Sequence, residues 1–525
     1  YFDEGWTVFE QAAYYDNPGA TQSVFLNPGF GAGQFVPGSL NLGDPVPALN
    51  AFPASFSPPF PQADFTFNSG FGSVNPNLRP PYVESWYLGV QRKLPGNTVV
   101  EVNYVGNHSV HLWMVYDINE VNIFENGFLT EFKNAQANLA ANNGTSFANT
   151  GAPGTVPLPI MEQAFGGTGS SVFTNDVSLV SSGQAGALAN VIVSNSNYFC
   201  NLVGNTFSPC VTQGINPNAP TPVAYPINMF QANPYASGFV AHELSNPGSS
   251  SYNGLQVQVK HPIGHGLNFT ANYAFSHAFT NRYIGDYYTS DEAIANFTTL
   301  RNPGLNRVPS PYDMRHTFQT FWTYDLPFGR ARRFETGNRV LDNVIGGWTF
   351  GSILTWQTGR NFKLTGGTNT FNYFANNSGA PDLTDSGVVL NGISISQLQS
   401  MVGVYPGPTP TTPVVVLPAS VQTSSKLLPE TTPGQLGSFV FLKGPVFFNT
   451  DMSLVKSIPI FDRLRMDVYA EFLNAFNHTN WNVTDNFSGR TNNPAQYLDV
   501  TSAPFAGARL ADGPRTIQFR LQLAF

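Results

Sequence analysis

The last ten residues alternate without a break: Thr516-Ile517-Gln518-Phe519-Arg520-Leu521-Gln522-Leu523-Ala524-Phe525. Ile517, Phe519, Leu521, Leu523 and Phe525 share one parity. Thr516, Gln518, Arg520 and Gln522 share the other. Side chains of a strand point to its two faces in turn, so this is a strand with one apolar and one polar face. Its length suits a tilted strand crossing a bilayer, which takes about 9–11 residues. An arginine on the lipid side at mid-depth would cost about 2–4 kcal/mol, and Arg520 falls on the polar parity.

The pattern recurs along the chain. Leu255, Val257 and Val259 alternate with Gln256, Gln258 and Lys260. Leu267, Phe269, Ala271, Tyr273 and Phe275 alternate with Asn268, Thr270, Asn272 and Ser276. Leu464, Met466, Val468, Ala470 and Phe472 alternate with Arg465, Asp467, Tyr469 and Glu471. Similar strands are expected at 86–94, 98–105, 313–326, 345–357 and 447–457, and residues 1–15 add another, for about ten in all. Short turns join them in pairs, as at Leu94-Pro95-Gly96-Asn97, and a longer basic turn runs from Pro327-Phe328-Gly329-Arg330 to Asn343. The other connections are long: 16–80, 106–250, 280–312, 358–446 and 477–514. Short and long connections alternate throughout, as in outer-membrane barrels with short periplasmic turns and long extracellular loops. The whole of 1–525 therefore reads as one all-β, antiparallel transmembrane β-barrel domain, with those long segments outside the cell. Counting back from Phe525 puts it at the periplasmic rim.

Composition agrees. Only 11% of residues are charged, against about a quarter in soluble proteins, yet mean hydropathy is only −0.12. No apolar run approaches the roughly 18 residues of a spanning helix. A strand with one lipid-facing and one lumen-facing side averages out in this way. The net charge of −8 argues against nucleic-acid binding. Cys200 and Cys210 stand close together in a Gly/Asn/Pro-rich stretch, which suits a loop disulfide in an oxidising compartment; two free thiols are the alternative. The chain opens on Tyr1 with no leader, so a fragment lacking its N-terminal part is expected.

Specific stretches resemble the C-terminal barrel of TonB-dependent outer-membrane receptors, most closely the Oar-like group that bears carboxypeptidase-regulatory-like domains. They include Tyr252-Asn253-Gly254-Leu255, Asp313-Met314-Arg315-His316, Leu326-Pro327-Phe328-Gly329-Arg330 and Gly346-Gly347-Trp348. Others are Thr358-Gly359-Arg360-Asn361-Phe362, Lys443-Gly444-Pro445 and Glu471-Phe472-Leu473-Asn474-Ala475-Phe476-Asn477-His478. The resemblance covers about 81–105 and 252–525 and is poor in the long connections. It implies a 22-stranded barrel, of which about ten strands lie here, filled by an N-terminal plug and energised through TonB. The implied partners are outer-membrane lipid, TonB through the N-terminal part, a small nutrient or peptide ligand, and the barrel-assembly machinery. The last of these would read the terminal aromatic, Phe525.

Arg315 and His316 beside Asp313, and Arg465 and Glu471 on lumen parity beside Asp467 and Asp451, are candidate ligand contacts; ion pairs that satisfy buried charge explain them as well. His261 with His265, and His108 with His111, lack the setting of a zinc site. Gly29-Phe30-Gly31-Ala32-Gly33 follows no strand and opens no helix, so it is not a phosphate loop. Nothing calls for a cofactor, and no serine, cysteine or carboxylate sits in a catalytic context. Loop aromatics, among them Tyr283, Tyr287, Tyr288 and Phe371 to Tyr373, could stack on a ligand or on one another. Three readings follow: an energy-coupled importer of a scarce nutrient, a non-transporting surface or adhesion barrel, and a passive porin, which the long loops and the motif set disfavour.

Overall fold

A computed structural model describes residues 71–212, 214–215, 224–236, 241–264, 266–281, 297–310, 312–374, 385–409, 412–422, 425–461, 464–484, 497–499, 507–510 and 513–524. The expected strand at 1–15, most of the segment 16–80, Tyr283, Tyr287, Tyr288, His265 and Phe525 lie outside the described residues. So does the Gly29–Gly33 run.

Strands β1 (Tyr82–Lys93), β2 (Val99–Asp117), β3 (Ala241–Gly264), β4 (Leu267–Thr280), β5 (His316–Asp325), β6 (Trp348–Gln357), β7 (Phe447–Phe461), β8 (Leu464–Leu473) and β9 (Thr516–Ala524) form one sheet. Each pairs antiparallel with the next in sequence. The short turns fall where expected, between β1 and β2, β3 and β4, β5 and β6, and β7 and β8. Among the described residues β1 and β9 are not paired with each other, so this wall is an open sheet with two edges.

Register fixes the two faces, because directly paired residues share a side. One row runs Val90, Val102, Val257, Tyr273, Phe318, Trp356, Phe448. The row beside it, on the opposite face, runs Gln91, Glu101, Gln258, Asn272, Gln319, Thr355, Asn449. The alternation read within single strands is thus in phase across the wall, although a one-residue slip in any pair would have mixed the faces. On the polar face Gln258 donates to Asn272 Oδ1 at 2.6 Å, and Asn103 donates to Glu101 at 2.7 Å. Ser457 and Arg465 both donate to Asp467, at 2.6 and 3.0 Å.

The long connections differ from their sequence reading. β2 and β3 run well past the expected strand ends at 105 and 252, and what lies between them is helical. Helices α1 (Phe128–Ala141), α2 (Pro159–Phe165), α3 (Val172–Asn175), α4 (Val177–Ser181), α5 (Ala185–Ser194), α6 (Ser196–Val203) and α7 (Ser208–Thr212) pack into a cap with its own apolar core. Phe128, Phe132, Ala135 and Leu139 of α1 recur at helical spacing on the buried side. Cys200 of α6 and Cys210 of α7, both fully buried, are joined by a disulfide with a Cα–Cα distance of 5.7 Å. None of the described helices is long and apolar enough to cross a membrane. The nine strands of the wall are antiparallel to their neighbours, Phe71–Val74 adds a short parallel pairing to Ala241–Leu244, and the protein as a whole carries a helical cap.

Glu131 of α1 lies inside the cap, 5% exposed. Its carboxylate accepts from the amides of Ile160, at 2.9 Å, and Met161, at 2.7 Å, and so caps α2 from a neighbouring helix. Burial nonetheless pushes its pKa up to about 7 against the two amide bonds, with the Glu162 charge adding to the rise. A carboxyl raised in the folded state costs nothing below its ordinary value and penalises folding fully above the raised one. The cap is therefore expected to lose roughly 3 kcal/mol between about pH 4.5 and 7, with Glu131→Gln removing most of that slope. Thermal melts of the helical circular-dichroism signal at 222 nm, which comes mainly from the cap, would measure it.

Candidate functional site

The strongest polar centre lies where the wall meets the long connections. Asp313 precedes β5 and is 1% exposed. Its Oδ1 accepts from His277 Nδ1 at 3.0 Å and from the Ala278 amide at 2.8 Å, both on β4. Its Oδ2 accepts from Asn361 Nδ2 at 3.4 Å and faces Lys443 Nζ at 3.6 Å. Burial alone would raise this carboxyl, but His277, the Ala278 amide and the Lys443 charge outweigh it and hold it below the usual range. Burial lowers the Lys443 ammonium, Asp313 opposes that, and Arg315 adds to the lowering. Among the described residues Lys443 Nζ makes no hydrogen bond within ordinary geometry, so the Asp313 charge is its compensation.

Four stretches distant in sequence build this centre, at His277-Ala278, Asp313, Asn361 and Lys443. Asn361 and Lys443 are paired across a small sheet in which Asn361–Thr365 runs antiparallel to Val440–Lys443 and parallel to Tyr497–Asp499. The chains leading into it touch at two glycines: a Cβ on Gly359 would stand 2.1 Å from the carbonyl oxygen of Gly444. The Gly444 amide donates to Arg360 O at 2.9 Å across that contact. Any side chain at Gly359 would force the two backbones apart. Above the crossing opens a cleft of about 190 Å³, lined by Gln357, Arg360, Phe447, Trp481 and Asn482 among others. Asn480, 1% exposed, accepts from the Phe448 amide at 2.8 Å and donates to its carbonyl at 2.9 Å, which holds the Trp481 segment against β7.

The cap is joined to the same rim. Glu120 accepts from the Leu300 amide at 2.8 Å and from Asn372, which also donates to Thr298 O at 2.9 Å. Arg301 pairs with Glu125 and lies over the Phe124 ring at 4.8 Å. Phe371 packs on Phe124, ring centres 4.6 Å apart, so this loop aromatic is a packing residue of the junction. Tyr373 packs against the cap core and its backbone carbonyl accepts from the Val121 amide at 2.8 Å.

The candidate contacts named from sequence do not meet at one point. Arg315 stands at the rim, its guanidinium over the Phe275 ring at 5.8 Å. His316 is paired with Phe275, which puts it on the apolar face and not among lumen-facing groups. There its Nδ1 hydrogen-bonds the Tyr273 hydroxyl at 2.8 Å, beside the Phe275 and Trp356 rings. It shares the parity of Phe318, so adjacent Arg315 and His316 cannot serve the same face. Arg465 lies at the far, short-turn end of β8, and Glu471 nearer the rim receives Gln518 of β9. Sequence reasoning missed His277, Asn361 and Lys443 as partners of Asp313. Asn361 and Lys443 stand in stretches that resemble the receptor family, which says nothing about who touches whom, and His277 stands in none of them. No group of three His, Cys, Asp or Glu side chains able to hold a metal occurs among the described residues.

A family model for the outer membrane beta barrel domain matches residues 11–174 and 193–518. The chain belongs to that family. It is thus a protein of the bacterial outer membrane. Among solved structures, it is similar to the outer membrane transporter YddB from Escherichia coli (8% identity, 87% of this chain and 34% of that one, TM-score 0.34). It is also similar to the pyoverdine outer membrane receptor FpvA from Pseudomonas aeruginosa (10%, 89% and 32%, 0.30) and the siderophore receptor PirA from Acinetobacter baumannii (8%, 87% and 33%, 0.30). The barrel chain spans about a third of the length of each. No curated protein matches it.

Proposed function

We propose that the chain is part of the barrel of a TonB-dependent receptor of the Oar-like group, which imports a scarce nutrient too large for a porin. The observation that carries this reading is the junction at the long-connection end. Three of the stretches that resemble the receptor family, around Asp313, Gly359 and Lys443-Gly444, close on one another there and open a cleft with one exposed arginine and three aromatic side chains. In this reading the long-connection end faces outward and captures the ligand, a small nutrient or a peptide. The short turns face the periplasm. A plug and the TonB contact belong to parts of the receptor beyond this chain, which supplies nine or ten strands of a 22-stranded barrel.

A non-transporting adhesion barrel is favoured by a different observation, the disulfide-stapled cap with an apolar core of its own. Replacing residues 118–236 by a short linker in the intact gene separates the two. Uptake is followed with iron chelates, cobalamin, oligosaccharides and peptides, with and without TonB, and cell attachment is scored in parallel. TonB-dependent uptake that falls on cap removal, with attachment unchanged, is expected. Lost attachment with uptake intact would reverse the choice.

A further inference from the structure

The turn between β5 and β6 carries a feature that the import reading does not use. Helix α8 (Arg339–Ile345) sits at the short-turn end, and its carboxyl end is fastened to the apolar face of the wall. Lys456 of β7 is paired in register with Trp348 of β6 and Val468 of β8, a row that continues to Leu521. Its ammonium leaves that row to donate to Asn343 O at 2.6 Å, to Val344 O at 3.2 Å and to Gly346 O. Trp348 Nε1 donates to Val344 O at 3.1 Å. A lysine on the lipid side is satisfied here by reaching the last carbonyls of a helix, which its charge also favours. The helix is thereby held beside the membrane boundary.

The two sides of α8 differ. Asp342 is 3% exposed and turned inward, accepting from the amide and hydroxyl of Thr336 at 2.8 and 2.7 Å. Val340 and Val344, one turn apart, are 74% and 61% exposed. Around this apolar stripe the turn is basic, in a chain whose net charge is −8. Arg332 is paired with Asp325 at 3.6 Å. Arg330, Arg333 and Arg339 have no carboxylate partner among the described residues.

An apolar helix stripe flanked by arginines that no described carboxylate neutralises, continuous with the apolar face of the wall, has the make-up of an interfacial lipid contact. We infer that this turn is a lipid-binding foot: Val340 and Val344 enter the acyl boundary, and Arg330, Arg333 and Arg339 bind the headgroups of anionic phospholipid in the leaflet at the short-turn end. The leaflet assignment rests on the orientation proposed above. The lipid contact itself does not, so the two can fail separately: orientation is read by surface labelling of cells, and the contact by reconstitution.

The test uses the full chain in nanodiscs of phosphatidylcholine mixed with phosphatidylglycerol, with retained lipid counted by native mass spectrometry after detergent release. The wild type is expected to enrich phosphatidylglycerol. Arg330→Gln, Arg333→Gln and Arg339→Gln together should lower that enrichment by roughly fivefold per arginine removed. A second measurement needs no variant: exchange of amides 340–346 should be several-fold slower in nanodiscs containing phosphatidylglycerol than in phosphatidylcholine alone. Unchanged enrichment in the triple variant, or equal exchange in both lipids, would overturn the inference and leave the patch to a protein partner.

Discussion

Asp313→Ala is expected to loosen the rim at β4, β5 and the Asn361–Lys443 hairpin together, at a cost of about 3–5 kcal/mol. The carboxylate is almost fully buried and serves His277, the Ala278 amide, Asn361 and Lys443 at once. Removing it leaves Lys443 with a buried charge and no partner, and that uncompensated charge, more than the lost hydrogen bonds, sets the size of the effect. Asp313→Asn tests this ranking. It keeps an acceptor for the Ala278 amide but no charge opposite Lys443, so it should recover little. Adding Lys443→Met to Asp313→Asn should recover much of the loss, because no buried charge then remains. The pH dependence has a definite sign. A carboxyl held below its ordinary range contributes stability that is present above that range and lost as pH falls through the depressed value. Hydrogen exchange at amides 310–316 and 440–446 would report the opening, with the centre of the wall as internal control. Equal protection in Asp313→Ala would show that the junction is held by other contacts.

The second large effect concerns the two faces of the wall. Leu454, in the middle of β7, lies between Phe350 and Ala470 on the apolar face, and Ser453 lies between Gly351 and Glu471 on the polar face. An arginine at the lipid-facing midplane of a barrel costs about 2–4 kcal/mol. Leu454→Arg should therefore lose that much when folded into bilayers. Ser453→Arg should lose almost nothing, since it enters a polar surface next to a carboxylate. One position along the strand separates the two, so helix propensity, chain charge and side-chain size cannot account for a difference. Urea titration in vesicles, followed by tryptophan fluorescence, measures both.

The wall was legible because its signal is local and repeated. Period two along each strand, together with short turns such as Pro95-Gly96-Asn97, set the faces and the pairing order before any long-range contact was known. The cap was not read, although Phe128, Phe132, Ala135 and Leu139 carry a helical period. Its helices are short and separated by Gly- and Asn-rich turns, so segment 106–250 resembled a polar loop when scanned for alternation. His316 was grouped with Arg315 as a candidate contact because the two are adjacent, although adjacent strand residues point to opposite faces and His316 shares the parity of Phe318. The Asp313–Lys443 pair joins residues on separate connections, and no spacing rule links them. Exposure on α8 was invisible for another reason. Val340, Leu341 and Val344 look like core residues of a short helix, and only the position of Lys456 on the apolar row shows which side of the wall they meet.

The two parities of the wall should see two different solvents, lipid on one side and water on the other. Single nitroxide labels at Phe269, Ala271 and Tyr273, and at Asn268, Thr270 and Asn272, read it directly along β4, with the native cysteines held in their disulfide. In bilayers the first set should collide with dissolved oxygen and be shielded from a water-soluble nickel complex, and the second set should show the reverse, with a period of two. Equal accessibility at adjacent positions, or oxygen access on the Asn268 parity, would contradict it.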